Sequence, residues 1–414
     1  GNYYNNNIMI DGVQANSVMD VTNTSAAHYN EVAGQTAQTF YVDPSLLGEI
    51  IVRDSNVSAQ YGDFTGGVVD FVLREPDDKF SISVTSSYQD DSFFNYKVGD
   101  EFADDDDLPA EPSFTKLRYA ISADVPVNEK LKLLASYSRT ESTVDYEFSE
   151  RYFEEPYENG STSQNFLLKG VYDVSDTLKI DGQIAYSPYE SEYSADNRID
   201  DLLKSHSDGL SAYLKASGQS GETDWQARVS YGFSDASRDW KNSDHFSWRS
   251  TANFVDWCTS TNCSQGGFGD IDQIQNDFAF DFDASRPMWG GELSGGVEIK
   301  LVDVEKSRLR DNNAYSRGTV SDTISCPTGD VACIENDVVL LQKSVYQAYE
   351  ADAEVSSEAA WAEFEKSFDD IFTLRAGLRY SHDDFLDNHN LAPRLTGSWE
   401  VRPDWFLTLG ANRY

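Results

Sequence analysis

From Phe80 onward the sequence keeps one rhythm: apolar and polar residues alternate with period two, segment after segment. Leu178, Ile180, Ile184 and Tyr186 share one parity, against Lys179, Asp181 and Gln183 on the other. Trp225, Ala227, Val229, Tyr231 and Phe233 oppose Gln226, Arg228 and Ser230, and Phe372, Leu374, Ala376, Leu378 and Tyr380 oppose Thr373, Arg375, Gly377 and Arg379. Successive side chains of a strand point to opposite faces, so each segment is a strand with one apolar and one polar face. Two architectures remain: a soluble sandwich, or a barrel whose strands alternate between lipid and lumen.

The connections favour the barrel. Tight turns are expected near Val127–Glu129, Val174–Asp176, Gly218–Glu222, Asp369–Asp370 and Arg402–Asp404, with a less distinct one near Pro287–Gly290. Long polar stretches lie between them, at 91–113, 144–160, 190–206, 236–275 and 306–343. Short turns at one end and long loops at the other are the habit of outer-membrane barrels. About thirteen strands of roughly 9–14 residues are expected, near the length a tilted strand needs to cross a bilayer. The alternation slips around Ala359-Ala360-Trp361.

Hydropathy alone would mislead. Its mean is −0.53, and no run approaches the roughly 18 apolar residues of a membrane helix, but barrel strands need no such run. Lys plus Arg number 32 against 71 Asp plus Glu, a net charge of −39, which argues against a nucleic-acid partner. Aromatic residues make up 13% of the chain, and their rings suit the membrane–water interface.

The four cysteines fall in two close pairs, Cys258/Cys263 and Cys326/Cys333, within stretches rich in Asn, Ser, Thr, Gly and Asp. An oxidising compartment and two local disulfides are the favoured reading. Four reduced thiols are the alternative. A zinc site fits less well, because the spacings are unusual and no histidine accompanies either pair. His28, His206, His245, His382 and His389 are scattered, and no catalytic set or cofactor site emerges. His382-Asp383-Asp384 reads as the wet top of a strand and Asp104–Asp107 as a solvated acidic loop, so no metal site is assigned. Arg118, Lys132, Lys169, Lys179, Arg228, Arg375, Arg379 and Arg394 fall on the lumen parity. There they pair with carboxylates or guide an anionic ligand, and pairing is the safer expectation for a filled lumen.

Residues 1–76 read differently. Ile8-Met9-Ile10 is a short strand ending in Asp11-Gly12, Ile50-Ile51-Val52 reads as a buried strand, and Tyr61-Gly62 and Gly66-Gly67 lead into a last strand ending at Leu73. The glycines are expected to allow positive φ and close backbone approach. The expected fold is therefore all-β: a large antiparallel transmembrane β-barrel, incomplete here, at 77–414, preceded by an incomplete α+β unit at 1–76. The final segment, Trp405–Tyr414, places Tyr414 on its polar parity. With an odd strand count, this leads us to expect a barrel open at both ends.

The N-terminal motifs resemble a known family. Ile8–Val13 is similar to the strand and turn of TonB-dependent receptor plugs. Glu49-Ile50-Ile51-Val52, Ser58-Ala59-Gln60-Tyr61-Gly62 and Gly66-Gly67-Val68-Val69 resemble the plug's end in the Oar-like branch. Leu117–Tyr137, with its turn Val125-Pro126-Val127-Asn128-Glu129-Lys130-Leu131, resembles that branch's second and third strands. Ser55-Asn56 stands where the branch has a glycine pair, and the Arg-Gly-Pro of siderophore receptors is absent. The resemblance marks Ile10, Asp11, Gly12, Glu49, Val52, Tyr61, Gly62, Gly66 and Gly67 as plug positions. It implies a receptor in outer-membrane lipid that imports a scarce small ligand (siderophore, vitamin, glycan or peptide) and is driven by TonB through a box expected upstream of Gly1. Other classes are a passive porin, a secretion or sensory barrel, and a barrel enzyme. An upstream TonB box counts against the porin, and an enzyme needs a Ser/His or Asp/His pair on the rim.

Overall fold

The computed structural model describes residues 5–19, 29, 38–94, 113–249, 257–259, 262–369, 371–403 and 405–413. His28 and Asp104–Asp107 lie outside them. No helix among the described residues is long and apolar enough to cross a membrane.

Four short strands come first: β1 (Asn7–Ile10), β2 (Val13–Gln14), β3 (Leu47–Arg53) and β4 (Val68–Leu73). They form one sheet in the order β2-β1-β4-β3, with β1 and β4 parallel. Asp11 and Gly12 connect β1 to β2, at φ of 49° and 75°. Positive φ at both positions is the geometry for which Asp-Gly is suited. Ile10, Ala15, Phe40, Leu46 and Leu73 form the apolar centre of this inner unit. Contrary to the sequence reading, Ile50 and Val52 are exposed, Val52 at 64%. β3 is the outer strand of the sheet, and the described residues do not cover that face.

The chain then runs through β5 (Ser81–Asp90), β6 (Ser113–Pro126), β7 (Leu131–Glu147), β8 (Pro156–Ser175), β9 (Leu178–Ser187), β10 (Tyr189–Tyr193), β11 (Leu203–Ser220) and β12 (Thr223–Trp240). After β13 (His245–Arg249) and β14 (Asn262–Gly266) come β15 (Asp272–Met288) and β16 (Gly291–Arg308). Next are β17 (Asn312–Val320), β18 (Cys333–Ile334) and β19 (Val338–Tyr346). The chain finishes with β20 (Tyr349–Phe368), β21 (Phe372–Asp383), β22 (Asn388–Arg402) and β23 (Trp405–Asn412).

Fourteen of these form one antiparallel wall, with β5 and β23 at its edges. They occupy thirteen positions, because β9 and β10 follow one another between the same neighbours, β8 and β11. The alternation read from sequence is the alternation of faces. On β9, Ile184 is 54% exposed while Asp181 and Gln183 are 6% and 3%. Tyr119, Tyr137, Phe166 and Tyr186 run as neighbouring rings across four strands, with centroids 6.1, 4.7 and 6.1 Å apart. An outward apolar surface with such an aromatic row is a lipid-facing wall.

Two expectations are corrected in detail. Some strands are longer than predicted: β8 and β20 have 20 residues each. Crossing the apolar band takes only about 10 residues, so the strands continue beyond it, where Glu350, Asp352 and Glu354 of β20 are exposed. The slip at Ala359-Ala360-Trp361 is not a break. β20 is continuous there, and Trp361 is an aromatic residue on the inward face, 8% exposed. The turn Trp289–Gly290 joins β15 to β16 as expected.

The stretches 236–275 and 306–343 are more than polar loops. β13, β14 and β17–β19 form a five-stranded crown in the order β14-β13-β17-β19-β18. Tyr152, Phe246, Trp248, Val338 and Leu340 share its core with Cys258 and Cys263. Their alternation is hidden in the sequence by the surrounding Asn, Ser and Asp. Disulfides join Cys258 to Cys263 and Cys326 to Cys333, with Cα atoms 6.2 and 5.6 Å apart. The crown stands at the wall end that carries the long connections. The β21–β22 link at that end is a short exception, Asp384–Asp387.

Candidate functional site

The inner unit meets the inward faces of β6, β8, β12, β16 and β20–β22, so the wall curves around it. The main contact row is built on six consecutive residues, Asn56 to Tyr61. Arg375 of β21 donates to the Asn56 carbonyl. Arg394 of β22 donates to the carbonyls of Val57 (3.1 Å), Ser58 and Tyr61 (2.8 Å). Arg379 of β21 donates to the Gln60 carbonyl at 2.8 Å and pairs with Glu298 of β16 at 2.7 Å. Between them the Ala59 N–H donates to Glu363 of β20 at 2.8 Å. Three guanidiniums and one carboxylate thus grip a backbone. Hydrogen bonds to charged groups are worth about 1.5–3 kcal/mol each, yet all are polar and exchangeable with water.

A second group of contacts comes from β6 to β9, β12 and β16. Lys169 of β8 reaches Asp11 at 2.9 Å and the Leu73 carbonyl at 3.0 Å. Arg118 of β6 pairs with Asp43 at 2.6 Å, and Lys300 of β16 donates to Gln14 at 2.8 Å. Arg228 of β12 bonds Asp281 of β15 at 3.0 Å and reaches the Asp11 carbonyl at 3.3 Å. Lys132 pairs with Asp78, and Lys179 with Glu75 at 2.7 Å. Every one of the eight lumen-parity cations therefore has a partner. Structural pairing, rather than free positive charge, is what the geometry carries.

The motif residues divide by role. Ile10 is buried in the inner core, and Asp11 accepts the Leu73 N–H at 2.9 Å. Gly12 donates its N–H to Asp70 at 3.1 Å, and a Cβ there would lie 2.6 Å from Arg228. Gly62 lies so close to Arg379 that a Cβ would come within 2.6 Å of Nε. A Cβ on Gly67 would meet the Arg53 carbonyl at 2.8 Å, and one on Gly66 would meet Asn6. Gly62, Gly66 and Gly67 do not use the positive φ that the sequence reading expected of them; close approach alone explains them. Glu49 and Val52 sit on exposed positions of β3, outside the contact rows. Sequence reasoning missed Glu298 and Glu363, and the wall glycines Gly209, Gly377 and Gly410, whose Cβ positions would strike Phe40, Ala59 and Asn56. Their signal was a small or acidic residue on the polar parity.

Burial pushes the Asp70 carboxyl above its ordinary range, with the Gly12 N–H opposing it, and raises the Tyr61 phenol as well. Burial also acts to raise Asp43, but hydrogen bonds from Ser138, Ser45 and Arg118 together hold it below the usual value. A cavity of about 340 Å³ remains between inner unit and wall, lined among others by Met9, Asp11, Tyr213, Arg228, Asp281 and Trp361.

An inner sheet latched inside an antiparallel transmembrane wall is the fold of outer-membrane receptors and transporters. No family model matches the chain. Its fold is similar to that of the outer membrane transporter YddB from Escherichia coli, with a TM-score of 0.82 at 18% identity, over 99% of this chain and 53% of that one. By sequence it is 23% identical to Escherichia coli (strain K12) YddB over 438 residues, covering 99% of this chain and 52% of that protein. The Pseudomonas aeruginosa ferric enterobactin receptor PfeA matches with a TM-score of 0.60 at 13% identity, over 99% of this chain and 54% of that one. The siderophore receptor PirA from Pseudomonas aeruginosa matches with a TM-score of 0.58 at 13% identity, over 99% and 53%. The chain spans about half the length of these relatives.

Proposed function

We propose that this chain is part of a TonB-dependent receptor of the bacterial outer membrane that imports a scarce small ligand by energy-coupled displacement of its plug. In this reading residues 1–76 are the C-terminal part of the plug and 77–414 the N-terminal part of the barrel. Seven of the nine plug-motif residues serve the plug's core, its turns and its close contacts, and Glu49 and Val52 lie on its exposed outer strand. The observation that carries the proposal is the grip on Asn56–Tyr61. A plug that only had to seal would be packed by apolar contact. One that must move and return is better held by contacts that water can replace. The relatives' greater length supports a second half of the barrel covering Ile50 and Val52.

The test uses the full-length protein. In planar bilayers it should show little conductance, and deletion of the plug should open a large, steady pore. In cells, entry of a ferric siderophore panel should require TonB. Uptake that persists unchanged without TonB would replace this reading with a passive porin.

A further inference from the structure

The sequence reading set His382 beside Asp383 and Asp384, but the fold gives those carboxylates other work. Asp383 accepts the Leu386 N–H at 3.1 Å, and Asp384 accepts the Ser356 N–H at 2.6 Å. Both shape the tip of the β21–β22 hairpin. What faces His382 instead is His389, its direct cross-strand partner on β22. The two imidazoles lie 4.4 Å apart at 24°. Asp387 adopts φ of 49°, which Asp tolerates. Its Oδ1 lies 3.4 Å from His382 Nε2 and 3.7 Å from His389 Nε2.

We propose that His382, Asp387 and His389 form a binding site for one divalent transition-metal ion of the Zn²⁺ class. Three lines of geometry support it. One ligand atom from each residue lies within 4.8 Å of the other two. Zinc bonds of about 2.1 Å in a tetrahedron require ligand atoms about 3.4 Å apart, close to the two separations above. Finally, the Tyr380 hydroxyl lies 2.8 Å from His389 Nδ1. A proton on Nδ1 donated to that oxygen leaves the Nε2 lone pair facing Asp387, the outer partner that metal-binding histidines commonly have.

Two imidazoles and one carboxylate favour Zn²⁺, Cu²⁺ or Ni²⁺ over Mg²⁺ or Ca²⁺. Three protein donors leave a fourth position for water or for a donor atom of an incoming molecule. The site is at the crown end of the wall, where His389 and Asp387 are exposed and reachable from solution.

The experiment uses tag-free, full-length protein in detergent, stripped of metal. Calorimetric titration with Zn²⁺ should give one saturable site, retained in excess Mg²⁺ or Ca²⁺. His382→Gln and His389→Gln should each abolish it, and Asp387→Asn should weaken it. Tyr380→Phe should weaken it about 10-fold. His206→Gln should leave it intact; His206 lies near Glu190 and Asp239 and serves as the control imidazole. With Cu²⁺ the electron-spin spectrum should show coupling to two nitrogens, lost stepwise in the two variants. Unchanged melting temperatures would show that the variants fold. No saturable site, a site that survives the double His382→Gln/His389→Gln change, or a Cu²⁺ spectrum without nitrogen coupling would each overturn the proposal.

Discussion

Replacing Lys169 by methionine tests the physics of the inner contact most directly. Lys169 and Asp11 are both buried, with side chains 5% and 7% exposed, and their atoms meet at 2.9 Å. Lys169 also satisfies the Leu73 carbonyl. Methionine keeps the volume but leaves the buried Asp11 carboxylate without its counter-ion. Breaking one side of a buried pair costs about 3–5 kcal/mol. The Asp11 bond to the Leu73 N–H survives, so the cost falls at the low end. Adding Asp11→Asn removes the orphaned charge while an amide oxygen still accepts that N–H, and most of the loss should return. Hydrogen exchange at the amides of Gly12, Ala15 and Leu73 reads the opening of this region. Because about 1.4 kcal/mol is tenfold, Lys169→Met should speed their exchange by two to three orders of magnitude, and the double variant should recover most of it. Exchange within about threefold of the parent in the single variant, or no recovery in the double, would refute a buried, mutually dependent pair.

Gly62→Ala should force the Arg379 guanidinium aside, at a cost of about 1–3 kcal/mol, seen as faster exchange of the Ala59 N–H; Gly160→Ala, with open space around its Cβ position, is the neutral control. Alkylation without prior reduction should label none of the four cysteines, and reduction should loosen the crown by about 2 kcal/mol per disulfide, seen as faster proteolysis there; four labelled thiols at the outset would contradict the pairing. Burial, with Arg198 nearby, lowers the His245 pKa to about 4. An unfolded histidine near 6.5 binds its proton first, so the stability this residue contributes is full above pH 6.5 and is lost as pH falls toward 4, by up to about 3 kcal/mol; protection of the crown amides, taken relative to the intrinsic exchange rate at each pH, should weaken from pH 7 to pH 5 in the parent and less so in His245→Gln.

Much of the wall was legible because period two is a physical consequence of the strand itself. Leu178 to Tyr186 could be sorted into lipid and lumen faces without coordinates. The alternation slipped at Trp361 because this large apolar ring stands on the inward, otherwise polar face, where it lines the cavity. The crown was not legible, since Phe246 and Trp248 alternate for only a few residues and their partners Val338 and Leu340 lie far along the chain. Ser58–Gly62 was visible as a motif, but the grip on Asn56–Tyr61 was not. Its bonded groups are backbone carbonyls and one N–H, and backbone atoms leave no trace in residue identity. The partners Arg375, Arg379 and Arg394 were visible as inward cations, and only the fold could say what they hold.

The attachment of the inner unit is unequal on its two sides, and that bears on how it could leave. Toward β7–β9, Leu134, Leu167 and Ala185 join the inner core beside Ile10 and Phe40. Parting them exposes apolar surface, which water does not repay. Toward β20–β22 the contacts are guanidinium-to-carbonyl bonds on Asn56–Tyr61. Water can take over both donor and acceptor there, so the net cost of parting each bond is far below its gross strength. The two sides therefore differ in the kind of work needed to separate them, beyond any difference in amount. In the proposed displacement of the inner unit, the arginine side is the edge whose bonds water can replace, while the other side adds apolar contact to the Lys169–Asp11 and Arg118–Asp43 pairs.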